Sequence, residues 1–114
     1  MRYESTHIYQ RSLELVSLSR QVIAGLPTGC GFLADQLRRA ADSVVLNFAE
    51  GYGKNSLAEQ RRFYAIARGS AQEVAAIFDV ADRFGAIAPA HRAAGKELCD
   101  HLVAMLFRFP AGPG

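Results

Sequence analysis

The sequence has no tryptophan, only two cysteines and four prolines, and a net charge of only +2 over its 114 residues. Cys30 and Cys99 form no CxxC pair. We therefore expect two free thiols in a reducing compartment, which excludes a disulfide framework. A charge this small does not by itself indicate a nucleic-acid partner, so that inference must rest on local clusters of basic residues.

Long apolar runs are also absent, since none approaches the length of about 18 residues that a membrane span needs. The first ten residues, MRYESTHIYQ, contain no apolar core of a signal peptide. We therefore expect a cytoplasmic protein with no membrane partner. The three histidines, His7, His91 and His101, do not have the spacing of metal ligands, so the sequence predicts no metal site and no cofactor.

Periodic apolar positions, separated by short glycine- and proline-containing segments, predict four amphipathic helices. The predicted helices span about residues 5–25, 31–52, 56–84 and 89–109. Four such helices with short connections are typical of an up-down-up-down antiparallel bundle. We therefore predict an all-α fold in which residues 1–114 form a single four-helix-bundle domain.

Local signals place the ends of the last two helices. Ser56, with Glu59 three residues later, is a capping box that starts the third helix. Gly85 allows the left-handed conformation that ends this helix, and Pro89 fits the first turn of the fourth helix. Pro110 is predicted to end the fourth helix, followed by a frayed tail.

The second helix also carries polar residues that a bundle core does not require. They fall within about 80° of arc beside the apolar stripe, and we call them the polar row: Gln36, Arg39, Ser43, Asn47 and Glu50. Serine and asparagine are poor helix formers, so a purely solvated face is one interpretation but not the favoured one.

A second interpretation of the polar row is a seam that hydrogen-bonds to a neighbouring helix, within the bundle or between subunits. The third helix offers Glu73 to pair with Arg39, and Gly69 to permit close approach of the backbones. A charge left unpaired in such a seam would cost about 3–5 kcal/mol if buried, so a seam would penalise misalignment.

A third interpretation is a small-molecule or catalytic site along the row or at a subunit interface. The row contains no nucleophile, base and orienting residue in combination. The sequence therefore predicts no catalytic residue, and we expect that the protein is not an enzyme.

Three strings together resemble a known family: LP at 26–27, QLRRAADSVVLNFAEG at 36–51 and ARGSAQEV at 67–74. They resemble the small four-helix-bundle proteins encoded in intervening sequences of bacterial large-subunit ribosomal RNA genes. That family is similar to the accessory variability proteins of diversity-generating retroelements, which form basic pentameric barrels that bind nucleic acid and a reverse transcriptase. The matching signature positions are Gln36, Arg39, Ser43, Asn47, Glu50, Gly51, Gly69, Ser70 and Glu73.

The resemblance implies a cytosolic bundle that assembles with copies of itself into a closed ring, typically a homopentamer, with no established enzymatic activity. Residues 36–72 carry six basic and three acidic side chains, and repetition around a ring would multiply this excess. The candidate nucleic-acid contacts, to RNA or DNA, are Arg38, Lys54, Arg61, Arg62 and Arg68. Tyr52 and Tyr64 are the candidates for base stacking. The alternative is that these exposed basic residues only keep the helical surface soluble.

Overall fold

A computed structural model describes residues 2–109 of the chain. Within this range there are four α-helices, one short 3-10 turn at Tyr3–Ser5 and no strand. The helices are α1 (His7–Gly25), α2 (Gly31–Tyr52), α3 (Leu57–Arg83) and α4 (Pro89–Arg108). The predicted all-α class with four helices is confirmed. The predicted end of the fourth helix at Pro110, and the tail after it, lie outside the described residues.

The predicted and observed helix bounds differ by two residues at most. The larger difference is at the start of α1, because Thr6 is its N-cap and accepts a hydrogen bond from the Tyr9 amide at 3.1 Å. Ser56 caps α3 in the same way, by accepting from the Glu59 amide. Gly85 follows α3 with φ +65°, the left-handed conformation expected of it.

The core is formed by the apolar stripes of all four helices. The most extensive contact between two helices is that of α2 with α3. The two helices are antiparallel, because Ser43 meets Ser70 in mid-helix and Gly51 meets Tyr64 near the connecting turn. The Tyr64 ring stacks on Phe48 at a centroid distance of 5.5 Å, deep in the core. Burial of each large side chain contributes roughly 1.5–3 kcal/mol. Among residues 2–109, no helix combines the length and apolarity needed to cross a membrane.

Two glycines allow helices to approach closely. A Cβ at Gly95 in α4 would overlap the ring of Phe78 in α3, and a Cβ at Gly51 in α2 would lie 2.8 Å from atoms of Phe63 and Tyr64. Both glycines are buried. The distances between α3 and its two neighbours therefore depend on the absence of these side chains.

We predict that Gly95→Ala destabilises the protein by about 1–3 kcal/mol, since the Phe78 ring must move out of a closely packed core. Urea unfolding measures the change. The matched control is Gly25→Ala at the end of α1, where no atom lies within 4 Å of the new methyl group. Equal unfolding free energies for the two variants would contradict the packing described here.

Charged residues join α3 to α4 on the outside of the bundle. The Asp79 carboxylate accepts hydrogen bonds from Lys96 at 2.7 Å and from Arg92 at 2.8 Å. The bonds from Lys96 and then Arg92 hold the pKa of Asp79 below its usual value of 3.8. Because a lowered pKa means that the folded state favours the ionised form, this contribution to stability is present above pH 3.8 and is lost as the pH falls through the lower, folded-state pKa.

We therefore predict that Asp79→Asn is less stable than the wild type at pH 7, and that the difference shrinks below pH 3.8 and disappears below the lowered folded-state pKa. The effect is modest because the Asp79 side chain is 44% exposed and is screened by solvent. Urea unfolding across the pH range is the measurement. Glu97→Gln, on the exposed side of α4, is the control and is expected to show no such pH-dependent difference from the wild type.

Candidate functional site

The polar row borders a groove between α2 and α3. Gln36, Arg39 and Ser43 line one side of the groove, and Ser70 and Glu73 line the other. Its volume is about 320 Å³. The structure thus brings the two sets of residues that the sequence proposed as partners to opposite sides of one groove.

The centre of the groove is closed by hydrogen bonds. The hydroxyl oxygens of Ser43 and Ser70 lie 2.8 Å apart and share a hydrogen bond between α2 and α3. Asn47 donates from Nδ2 to both the carbonyl oxygen and the hydroxyl oxygen of Ser43, each at 2.9 Å. All three side chains are half-buried, so this small network fixes the register of the two helices.

Arg39 and Glu73 do not form the predicted pair within the chain, and this expectation is corrected. Both side chains are exposed, and neither makes an ion pair with any residue of the described range 2–109. The reason is the width of the polar row on the helix. Ser43 bonds α3 through Ser70, whereas Arg39 lies nearer the outer edge of the row, and Glu50 pairs with Lys54 four residues later.

Gly69 does not permit a close approach within the chain, which is a second correction. It is exposed, and within residues 2–109 no atom outside its own helical turns lies within 4 Å of the position that its Cβ would take. The close approach between α2 and α3 is made instead at Gly51 of α2, near the turn that connects the two helices. A glycine in the middle of a helix costs about 1 kcal/mol relative to alanine, and Gly69 has no compensating contact inside the chain.

Exposed apolar side chains lie on the same side of the bundle as Arg39 and Glu73. On α2, Phe32 and Leu46 stand seven residues before and after Arg39, and they are 57% and 66% exposed. On α3, Ile66 and Val80 stand seven residues before and after Glu73, and they are 42% and 43% exposed. A spacing of seven returns to nearly the same side of a helix. We call these six residues the α2/α3 face: Phe32, Arg39, Leu46, Ile66, Glu73 and Val80.

Sequence reasoning missed half of the α2/α3 face. It identified Arg39 and Glu73 but left out Phe32, Leu46 and Val80, because they fall outside the core stripes. The signal that could have found them is the heptad spacing of apolar residues on both sides of one charge.

Three of the five candidate nucleic-acid contacts are engaged by carboxylates. Arg38 pairs with Asp35 at 2.9 Å, Lys54 with Glu50 at 3.1 Å, and Arg62 with Glu59 at 3.1 Å. The other two, Arg61 and Arg68, make no ion pair with any described residue from 2 to 109.

Arg61 and Arg68 line a second cavity, of about 280 Å³, between α3 and α4. Phe107 at its edge is 71% exposed, and the guanidinium carbon of Arg68 lies 5.2 Å from the centre of its ring. Among residues 2–109, no acidic side chain lines this cavity. The sequence did not indicate Phe107 because this residue lies far along the chain from the basic cluster.

The expectation that Tyr64 stacks on bases is wrong, because its ring is buried and only 2% of its surface is exposed. Burial raises the pKa of Tyr64 to about 12, so the phenol is protonated at neutral pH. Tyr52 is half-buried and stacks on Phe109.

The cysteines and acidic residues contribute no metal cluster. Cys30 is half-buried and Cys99 is buried, and both are free thiols. Burial raises the pKa of the Cys99 thiol to about 12. In the part of the chain that the structure describes, no group of three or more histidine, cysteine, aspartate or glutamate residues could hold a metal ion.

Comparison with known proteins agrees with the resemblance seen in the sequence. The family model described as 23S rRNA-intervening sequence protein matches residues 4–108, a range that includes all of the four helices. No curated protein matches the chain.

We predict that Ser43 and Ser70 are energetically coupled. In a double-mutant cycle of Ser43→Ala and Ser70→Ala, measured by urea unfolding, the coupling energy is expected to be about 0.5–1.5 kcal/mol, the net value of one hydrogen bond. The control cycle joins Ser43→Ala to Ser17→Ala, an exposed serine on α1, and should give no coupling. Equal coupling in both cycles would refute a specific bond across the groove.

Proposed function

The chain belongs to the 23S rRNA-intervening sequence protein family, and we propose that it acts in the cytoplasm as a non-enzymatic, homo-oligomeric scaffold assembled through the α2/α3 face. The assembly that we propose is a closed ring of five copies, as the family resemblance implies. The proposal assigns no catalytic residue and needs no cofactor.

One observation carries the proposal, namely the pattern of the α2/α3 face. Each of its two helices presents a single charged residue between two exposed apolar residues, and the two charges are opposite. Arg39 and Glu73 have no ionic partner among residues 2–109. When α2 of one copy packs on α3 of the next, Arg39 meets Glu73 and apolar side chains flank the pair on both sides. Both charges then gain a partner that the single chain does not supply.

The charges also determine which helices can pair. Packing α2 on α2 would place Arg39 beside Arg39, and packing α3 on α3 would place Glu73 beside Glu73, so both arrangements are opposed by like charges. Only α2 against α3 satisfies both residues. The interface is therefore formed by α2 of one copy and α3 of another.

The ring rests on the family resemblance, and the α2/α3 face supplies the contact for it. Arg39 and Glu73 line the open side of the groove that Ser43 and Ser70 bridge, so both are accessible to a neighbouring copy. In a ring, each copy places its α2 on α3 of the next copy. Such head-to-tail contacts form a ring when the rotation between copies closes.

Gly69 supports the same assembly. It lies on α3 four residues before Glu73, with open space around it in the single chain. A mid-helix glycine with no internal contact is accounted for if a helix of the neighbouring copy approaches at this position. The absence of a side chain would then shorten the distance between the two backbones.

We predict that Arg39→Glu and Glu73→Arg each dissociate the ring, and that the double variant carrying both changes restores it. Native mass spectrometry measures the result, with five copies expected for the wild type and the double variant and a chain of 12.4 kDa for each single variant. Both residues are exposed, so circular dichroism should show unchanged helix content.

The matched control is Glu97→Arg, which reverses an exposed glutamate on α4 that has no ionic partner in the described residues. This variant should keep the mass of the wild type. A wild-type protein that stays monomeric, or single variants that assemble normally, would refute the proposed interface.

A further inference from the structure

The cavity between α3 and α4 is separate from the α2/α3 face and is not needed for assembly. Arg61 and Arg68 line its α3 side, and Phe107 and Phe109 line its α4 side. Arg61 and Arg68 stand about 120–140° around α3 from Glu73, since each residue turns the helix by about 100°. A copy packed on the α2/α3 face would therefore leave the cavity open.

We propose that this cavity binds single-stranded nucleic acid, with Arg61 and Arg68 contacting backbone phosphates and Phe107 stacking on an unpaired base.

The charge of the cavity selects an anionic partner with repeated charges. Arg61 and Arg68 are seven residues apart on one side of α3, or about 10 Å along the helix axis. The other basic candidates, Arg38, Lys54 and Arg62, are already paired with carboxylates on their own helices. Arg61 and Arg68 are thus the two candidate contacts whose charge no ion pair within residues 2–109 neutralises, and phosphate binding requires such free charge.

The aromatic edge of the cavity favours a nucleic acid with unpaired bases over other polyanions. Phe107 is the most exposed large apolar side chain of the described residues, and the guanidinium of Arg68 lies over its ring. Phe109 and Tyr64 also line the cavity and pack edge to face, with ring centres 5.4 Å apart. Aromatic rings and arginine planes stack on bases that a single strand exposes, whereas bases inside a duplex are not accessible.

The Tyr64 phenol adds a hydrogen-bond donor at the cavity. Burial raises its pKa to about 12, so the phenol stays protonated well above neutral pH. The whole site is contained in α3 and α4 of one chain, so the inference does not depend on the proposed ring. A ring would present several copies of the site to one strand and so raise the overall affinity.

The test is fluorescence anisotropy of the full chain with a labelled oligouridylate of about 16 nucleotides, titrated at several salt concentrations. Arg61→Gln combined with Arg68→Gln should weaken binding and reduce the slope of log K against log salt by about 1.4, the value for two lost phosphate contacts. The control, Arg11→Gln combined with Arg38→Gln, removes the same charge from two arginines that are paired elsewhere. It should bind nearly as well as the wild type.

Phe107→Leu separates stacking from charge. It should weaken binding of the oligouridylate about tenfold or more without changing the salt slope, whereas Phe107→Tyr should retain binding. Binding of a duplex of the same length should be weaker and should not respond to Phe107→Leu.

Two outcomes would overturn the inference. One is an equal loss of affinity in the control double variant, which would show a general effect of net charge. The other is an unchanged affinity in Phe107→Leu together with equal binding of polyglutamate, which would show a site for any polyanion. The mass of every variant is measured in parallel, so that a failure to assemble is distinguished from a failure to bind.

Discussion

The register of α2 against α3 is the constraint on which the rest of this structure depends. It is held near the connecting turn by Gly51, which leaves room for Tyr64, and in mid-helix by the hydrogen bond between Ser43 and Ser70. A shift by one residue would rotate the facing side chains by about 100° and expose part of the core. Because α3 also carries the contacts to α4, its placement on α2 determines the geometry of both proposed surfaces.

The ion pairs distinguish charged residues that have a partner within one chain from those that have none among residues 2–109. Asp79 joins α3 to α4, and Arg20 joins α1 to Asp42 of α2, so these contacts are satisfied internally. Arg39 and Glu73 on one side, and Arg61 and Arg68 on another, have no ionic partner in the described residues. Exposed apolar side chains accompany both sets. Unpaired charge beside exposed apolar surface is the physical basis on which a second copy and a nucleic acid are proposed as partners.

α3 supports both proposed surfaces, and its two sides have different chemistry. The side that includes Ile66, Glu73 and Val80 is suited to another helix, because its exposed residues repeat every seven positions and are mainly apolar. The side that includes Arg61 and Arg68 is suited to a flexible anion, because its charges flank an aromatic cavity. One long helix can thus assemble the protein and bind a ligand without either surface covering the other.

The sequence by itself determined the four helices, their ends and the family, because helical periodicity, capping residues and glycine conformations are local properties of the chain. It also identified the polar row as unusual, since serine and asparagine at helical spacing are not needed in a core. Only the tertiary structure decided which members of that row meet α3. Ser43 bonds Ser70 of α3, whereas Arg39 forms no ion pair with Glu73, because the rotation of each helix is set by side chains that pack from distant parts of the chain. Only the tertiary structure also showed that the helices approach closely at Gly51 and not at Gly69. It likewise placed Phe107 beside Arg68, because packing of α4 on α3 brings together two residues that are 39 positions apart.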